Sequence, residues 1–374
     1  MQTVGAVMTG FDYLRITLAI GVLGWHSIAI ATGSNDDTAI WTGPFRFLPA
    51  MVLPVFFALS GFLVAGSLQR TALHQFITLR VLRLMPALAV ETALSALVLG
   101  LLFTQLSYFQ YFTTRQFYTY FLNIVGFIHY FLPGVFENNP VKGYINAQLW
   151  TVPFELECYL ALILLSVITL FRRRLLFTIV VVGLALALTL WAVVGRHVDP
   201  TNHLPGRALV LSFLAGVSVY LYRDVVRYSN VLGFMSMIVS AALLQAPDGC
   251  YLAALPVAYM TVWIGLFQLP KIPFGDLSYG VYLFHYPIEQ TVVHLFPDVR
   301  SWWLLTLVSL PLTAIFAWLS WNLIEKPTLT RKKLILAAID RAWAAMRKSG
   351  PLTLWLKGRA VRVDLRRPQS DVEP

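Results

Sequence analysis

The chain has 374 residues, of which 58% are hydrophobic and only 12% charged, and its mean hydropathy is +0.69. A soluble domain is about 45–50% apolar and about a quarter charged, so this composition excludes an ordinary soluble protein and implies a chain that crosses a membrane repeatedly. The net charge of +10 does not signal nucleic acid, because the basic residues sit in short loops and in the C-terminal tail, as membrane topology requires.

A crossing helix needs about 20 largely apolar residues. Ten stretches qualify: 11–31, 46–66, 84–104, 149–170, 175–195, 205–222, 230–246, 250–268, 278–296 and 301–323. The fold class expected is therefore all-α, a polytopic transmembrane bundle over 1–328, followed by a basic amphipathic tail over 329–374.

The first stretch, FDYLRITLAIGVLGWHSIAI, carries Asp12, Arg15 and His26. A charged pair inside the apolar run argues for a retained helix rather than a cleaved signal. Arg15 and His26 are eleven residues apart, which puts them within about 20° of each other and roughly 16 Å apart along the axis. One face thus presents a cation near one membrane surface and an imidazole about three turns deeper. Ionisable groups at such depth cost on the order of 2.5–3.5 kcal/mol and are seldom there without a role. Asp12, three residues before Arg15, can pair with it.

The next spans add FFALSGFL (Phe56 to Leu63, with Ser60) and FITLRVLRLMP, where Arg80 and Arg83 share a helix face. Paired guanidiniums suit phosphate groups, although basic residues here also serve topology alone. The segment 117–133 is apolar but ambiguous. If it crossed, Arg172, Arg173 and Arg174 would face outward, against the positive-inside rule. It is therefore expected to be non-spanning or re-entrant within an outer loop of 105–148, leaving both termini cytoplasmic. Loop 32–45, with Asp36 and Asp37, is then outside.

QLWTVPFELECYL follows, with Trp150, Glu155, Glu157 and Tyr159. The two carboxylates point about 200° apart on a helix, so only one faces any given site. LSYGVYLFHYPI holds Ser278, Tyr279, Tyr282, His285 and Pro287, residues that also occur in interfacial aromatic belts. WNLIEKP closes the last span with Glu325, which next to Lys326 can be a surface pair. RKKLILAAIDRAWAAMRKS spaces apolar and basic residues as an amphipathic helix on the inner leaflet would, and the tail after Gly350 and Pro351 is expected to be mobile. Cys158 and Cys250 form no disulfide framework or metal spacing, so neither a metal nor a bound cofactor is expected.

Taken in order, these stretches resemble the membrane-bound acyltransferase-3 family. FDYLR with His26 resembles its first helix, FFALSGFL its second, and Arg80 and Arg83 its cytoplasmic Arg-x-x-Arg pair. LWTVPFELECYL resembles its Leu-Trp-Ser-Leu-x-x-Glu-x-x-Phe-Tyr block, with Thr151, Pro153 and Cys158 as departures. LSYGVYLFHYPI and IEKP resemble its closing motifs. The soluble esterase-like domain fused to some members is not expected here.

The resemblance implies transfer of an acyl group, most often acetyl, from cytoplasmic acyl-CoA to a carbohydrate hydroxyl on a surface polysaccharide or lipid-linked sugar, by a multi-pass protein of the bacterial inner membrane. It implies His26 and Glu155 as catalytic and Arg15, Arg80 and Arg83 as donor-binding. Asp12, Ser60, Trp150, Tyr282, His285 and Glu325 support them. His26 can act as base or carry the acyl group itself, and Glu155 can orient His26 or bind the acceptor. A proton-coupled carrier or flippase without acyl chemistry is the competing class.

Overall fold

The computed structural model describes residues 9–195 and 203–349. Its helices are α1 (Gly10–Thr32), α2 (Ser34–Thr42), α3 (Phe47–Arg70) and α4 (Leu73–Leu94), which a π turn, Ser95–Leu99, carries into α5 (Gly100–Phe103). Two short helices follow, α6 (Tyr108–Thr113) and α7 (Arg115–Tyr120), then α8 (Val152–Val167), α9 (Arg174–Gly195) and α10 (Gly206–Leu221). After α11 (Asn230–Gln245), α12 (Ala254–Gly265), α13 (Ser278–Leu295) and α14 (Trp302–Ser320), a second π turn, Trp321–Glu325, leads into α15 (Lys326–Thr330). α16 (Lys332–Ser349) comes last. The chain divides into two units, Met1–Leu329 and Thr330–Pro374.

A helix stands at each of the ten expected positions, and among the described residues no strand forms beyond isolated bridges. Among the described residues, six helical segments are long and apolar enough to cross a membrane: Gly10–Thr32, Phe47–Arg70, Leu73–Phe103, Ala147–Val167, Arg174–Gly195 and Trp302–Thr330. The expected ten is thus met in helix positions but not in helix length. α10 and α11, with 16 residues each, reach about 24 Å at 1.5 Å per residue, short of a hydrocarbon core of about 30 Å. Apolar side chains cover the outside of α9, including Leu175, Ile179, Leu186, Leu190 and Val194, as lipid contact demands. The protein is a multi-pass membrane protein.

Small residues seat the tightest helix pair. A Cβ on Gly61 of α3 would run into the Phe213 carbonyl of α10, and one on Gly216 of α10 would run into that of Ala58. Without a hydrophobic drive between helices in lipid, such backbone approach supplies the attraction.

No single helix runs through 117–133. α7 gives way to a 3-10 turn, Phe121–Val125, which ends at Gly126 in the left-handed region (φ 87°), and extended chain follows. The segment has a core of its own, with Tyr111, Phe117, Tyr120, Leu132, Val135 and Phe136 all buried. Segment 32–45, expected as a loop, contains α2, and Trp41 packs edge-on against Trp25 of α1 with ring centroids 5.3 Å apart. α16 carries Ile335, Ile339 and Trp343 at four-residue spacing along one side. The tail beyond residue 349 lies outside the described residues.

Candidate active site

α1 and α13 run side by side in the same direction, and the polar residues of α1 meet them in two tiers. At the lower tier Arg15 Nη1 donates to Asp276 Oδ2 at 3.1 Å, just ahead of α13. Arg83 of α4 donates to the same oxygen from Nη2 at 2.6 Å, and from Nη1 to Glu325 Oε2 at 3.1 Å. Asp276 Oδ1 accepts from the Ser278 hydroxyl at 2.5 Å. Burial pushes the Asp276 carboxyl up, but Arg83 and Arg15 outweigh it and hold the group below the usual carboxylate range. Glu325 sits in the second π turn, which directs it inward to 3% exposure while Lys326 faces out. It is a buried ligand of Arg83 and Ser320, not the surface partner of Lys326.

Arg80, one helical turn before Arg83, faces a different neighbour. Its guanidinium lies over the Phe76 and Tyr159 rings at 5.7 and 5.9 Å, and among the described residues it forms no ion pair. The Tyr159 hydroxyl donates to Glu155, with Ser60 close to it. Beside Arg80 a cavity of about 210 Å³ opens between α4 and α8, lined by Phe76, Ile77, Leu84, Leu156 and Tyr159. Glu157 is exposed while Glu155 turns inward.

At the upper tier His26 Nδ1 meets His285 Nε2 at 2.8 Å, and Tyr286 packs edge-on to His26 at 5.2 Å. His285 is wholly buried, whereas His26 is partly buried. Next to His26, the Ser27 hydroxyl donates to Glu289 at 2.5 Å. Pro287 has no N–H to give the Leu283 carbonyl, and Gln148 takes that carbonyl instead at 2.8 Å. The Tyr282 hydroxyl reaches the Gln148 carbonyl and lies 2.6 Å from Thr151 Oγ1, tying α13 to the start of α8. Trp150 packs edge-on to Phe154 at 5.8 Å, at the border of this tier.

Two expectations change. The carboxylate paired with Arg15 is Asp276, reached across the bundle, rather than Asp12 on the same helix. Among the described residues no hydrogen bond joins Glu155 to His26; the bonded partner of Glu155 is Tyr159, near Arg80, Arg83 and Arg15, and that of His26 is His285. Sequence reading also passed over Asp276, Glu289 and Glu91. Glu91 is buried with Ser95 and Asn146 on its Oε1, at 2.6 and 2.8 Å. The last two are carboxyl groups inside apolar runs, a signal that applies to them as it does to Arg15.

Residues 8–322 match the family described as an acyltransferase domain, the acyltransferase-3 family. The chain belongs to it. The acyltransferase is 26% identical to a protein named O-acetyl transferase from Shigella phage Sf6, over 86% of this chain and 96% of the relative. It is 28% identical to Nodulation protein 10 of Rhizobium leguminosarum bv. viciae, over 87% of this chain and 95% of the relative. No solved structure matches it. In this acyltransferase a cluster of guanidiniums at one level and a paired imidazole about three turns away stand along one helix pair. That arrangement suits a reaction in which an anionic carrier is held at one end and its cargo reacts at the other.

Proposed function

We propose that the protein is an O-acetyltransferase that moves an acetyl group from cytoplasmic acetyl-CoA to a hydroxyl of a carbohydrate, either a surface polysaccharide or a lipid-linked sugar. The observation that carries this reading is the alignment of Arg15 and His26 on the face of α1 that meets α13. CoA is polyanionic and made inside the cell, so its phosphates belong with Arg15, Arg80 and Arg83 at the end that the positive-inside rule assigns to the cytoplasm. Arg80, with no carboxylate in ion-pair contact among the described residues, is the guanidinium most open to a phosphate. The thioester arm then extends along α1 to His26.

His26 acts as general base. The acceptor hydroxyl gives its proton to the imidazole while its oxygen attacks the thioester carbonyl. The carbon–sulfur bond breaks, and the departing thiolate takes that proton from His26 and leaves as the free thiol of CoA. Glu155, bonded to Tyr159 and close to Arg80, Arg83 and Arg15, is assigned to the path of the arm. The relative's name, O-acetyl transferase, supports acetyl as the group moved.

The test uses membranes from cells expressing the full chain, given acetyl-CoA labelled in the acetyl carbon. Label is expected to enter the carbohydrate fraction as free CoA accumulates. His26→Ala, present in the membrane at the wild-type level, is expected to lower this transfer by at least about 10²-fold. A wild-type protein that releases no CoA would be a carrier, and transfer by His26→Ala at the wild-type rate would remove the imidazole from the chemistry.

A further inference from the structure

We propose that His285 is the positioning residue that sets the tautomer of His26 and shares its proton during turnover, so that the two imidazoles work as one base. This rests on the acyl-transfer reading above. The hydrogen-bond chain starts on the far side of His285, where Nδ1 lies 3.1 Å from the Val281 carbonyl oxygen and 2.8 Å from that of Tyr282. A carbonyl oxygen only accepts, so His285 Nδ1 carries a hydrogen. In the neutral ring Nε2 is then the lone-pair nitrogen. That nitrogen faces His26 Nδ1 at 2.8 Å. Two lone pairs at this distance would repel, so His26 Nδ1 carries the next hydrogen and donates it.

The consequence falls on the far nitrogen of His26. With Nδ1 protonated, Nε2 is left as the bare, basic nitrogen, on a residue that is only partly buried. The ring planes lie 14° apart with centroids 5.0 Å apart. Since the contacting nitrogens are only 2.8 Å apart, the rings meet edge to edge near a common plane. That is the geometry of an N–H···N bond, not of face-to-face stacking.

The same bond offers a second location for charge. When His26 Nε2 takes the acceptor proton, the hydrogen on its Nδ1 can cross to His285 Nε2. One N–H bond breaks on His26, one forms on His285, and the positive charge moves to a ring whose Nδ1–H already rests on two carbonyl oxygens. When the thiolate removes the proton from His26 Nε2, the shared hydrogen returns. No other proton donor or acceptor enters the step.

Protein labelled with [15N]histidine in lipid nanodiscs tests the pairing without any variant, His26→Ala being used only to assign its signals. A protonated Nδ1 and bare Nε2 on His26 are expected; a protonated Nε2 in the neutral resting enzyme overturns the proposal. In acetyl transfer, His285→Leu is expected to lower kcat by about 10²-fold or more, with the KM for acetyl-CoA within about twofold. His285→Gln, whose amide oxygen can accept from His26 Nδ1, is expected to recover about tenfold of that loss. A His285→Leu enzyme with wild-type kcat, beside an inactive His26→Ala, refutes the pairing and leaves the acyl-transfer reading intact. An active His26→Ala refutes that reading instead.

Discussion

Asp276 lies outside every helix, yet one of its oxygens holds arginines from α1 and α4 together. Its folded-state pKa is depressed below the unfolded value, so its stabilising contribution is full above the unfolded value, near 4, and is lost as pH falls through the folded one. The wild-type protein should therefore lose thermal stability progressively below about pH 4. Asp276→Asn should be less stable at pH 7 by about 2 kcal/mol, because Arg15 loses its counter-ion and Arg83 keeps only Glu325, and less sensitive to acid. Thermal unfolding in detergent across pH 3–7 checks both; equal acid slopes in the two proteins would remove Asp276 from the acid response.

Little of this was legible from residues taken one at a time. Arg15 and His26 were, because helical periodicity alone puts them on one face, and His26 does meet α13 while Arg15 meets Asp276 just ahead of it. Asp276 was not, because it precedes its helix, and nothing in local spacing relates it to an arginine 261 positions away. Local pattern leaves His285 between an interfacial ring and a supporting site residue, since only its partner across the bundle distinguishes a paired imidazole from a belt residue.

Among the elements, periodicity and length served well for α1, α3, α4, α9 and α14, whose apolar runs exceed what a buried soluble helix needs. The π turns were invisible, because a single extra residue in a turn leaves the hydrophobic pattern almost unchanged, and one of them aims Glu325 at Arg83. The seam between α3 and α10 was equally hidden, since glycine in an apolar run has no partner until a second helix is present. Gly61→Ala or Gly216→Ala should each destabilise the protein by about 1–3 kcal/mol, as a new methyl group presses on a facing carbonyl. The double variant should fall short of the sum, since both open the same gap. Melting temperatures in one detergent give the answer, and an unchanged value for Gly61→Ala would mean that the seam is looser than the close approach implies.

For the molecule as a whole, charge bias argued that 117–133 does not cross, and the chain there breaks into α7, a 3-10 turn and extended backbone. The anchoring of the loop that follows it was not foreseeable. Gln290 of α13 donates to the Val141 and Tyr144 carbonyls at 2.9 Å each, and Asn139 donates back to the Gln290 side chain at 2.8 Å. Such pins arise from folded chain, not from periodicity. Both native thiols are buried, so cysteines introduced one at a time at exposed Lys142 and Lys333 can report their own sides. With both termini cytoplasmic, an impermeant maleimide given to intact cells should label position 142 and spare 333. The reverse pattern would invert the orientation, and labelling of both would refute it.

The carboxylate shared by two arginines gives the bundle two kinds of joint. Where α3 meets α10, backbone lies against backbone, and only added bulk can pry them apart. Where α1, α4 and the approach to α13 converge, an ion holds them, and separation strands an uncompensated charge. Titrant and polyvalent anions therefore act on the arginine end, while the glycine seam stays indifferent to both.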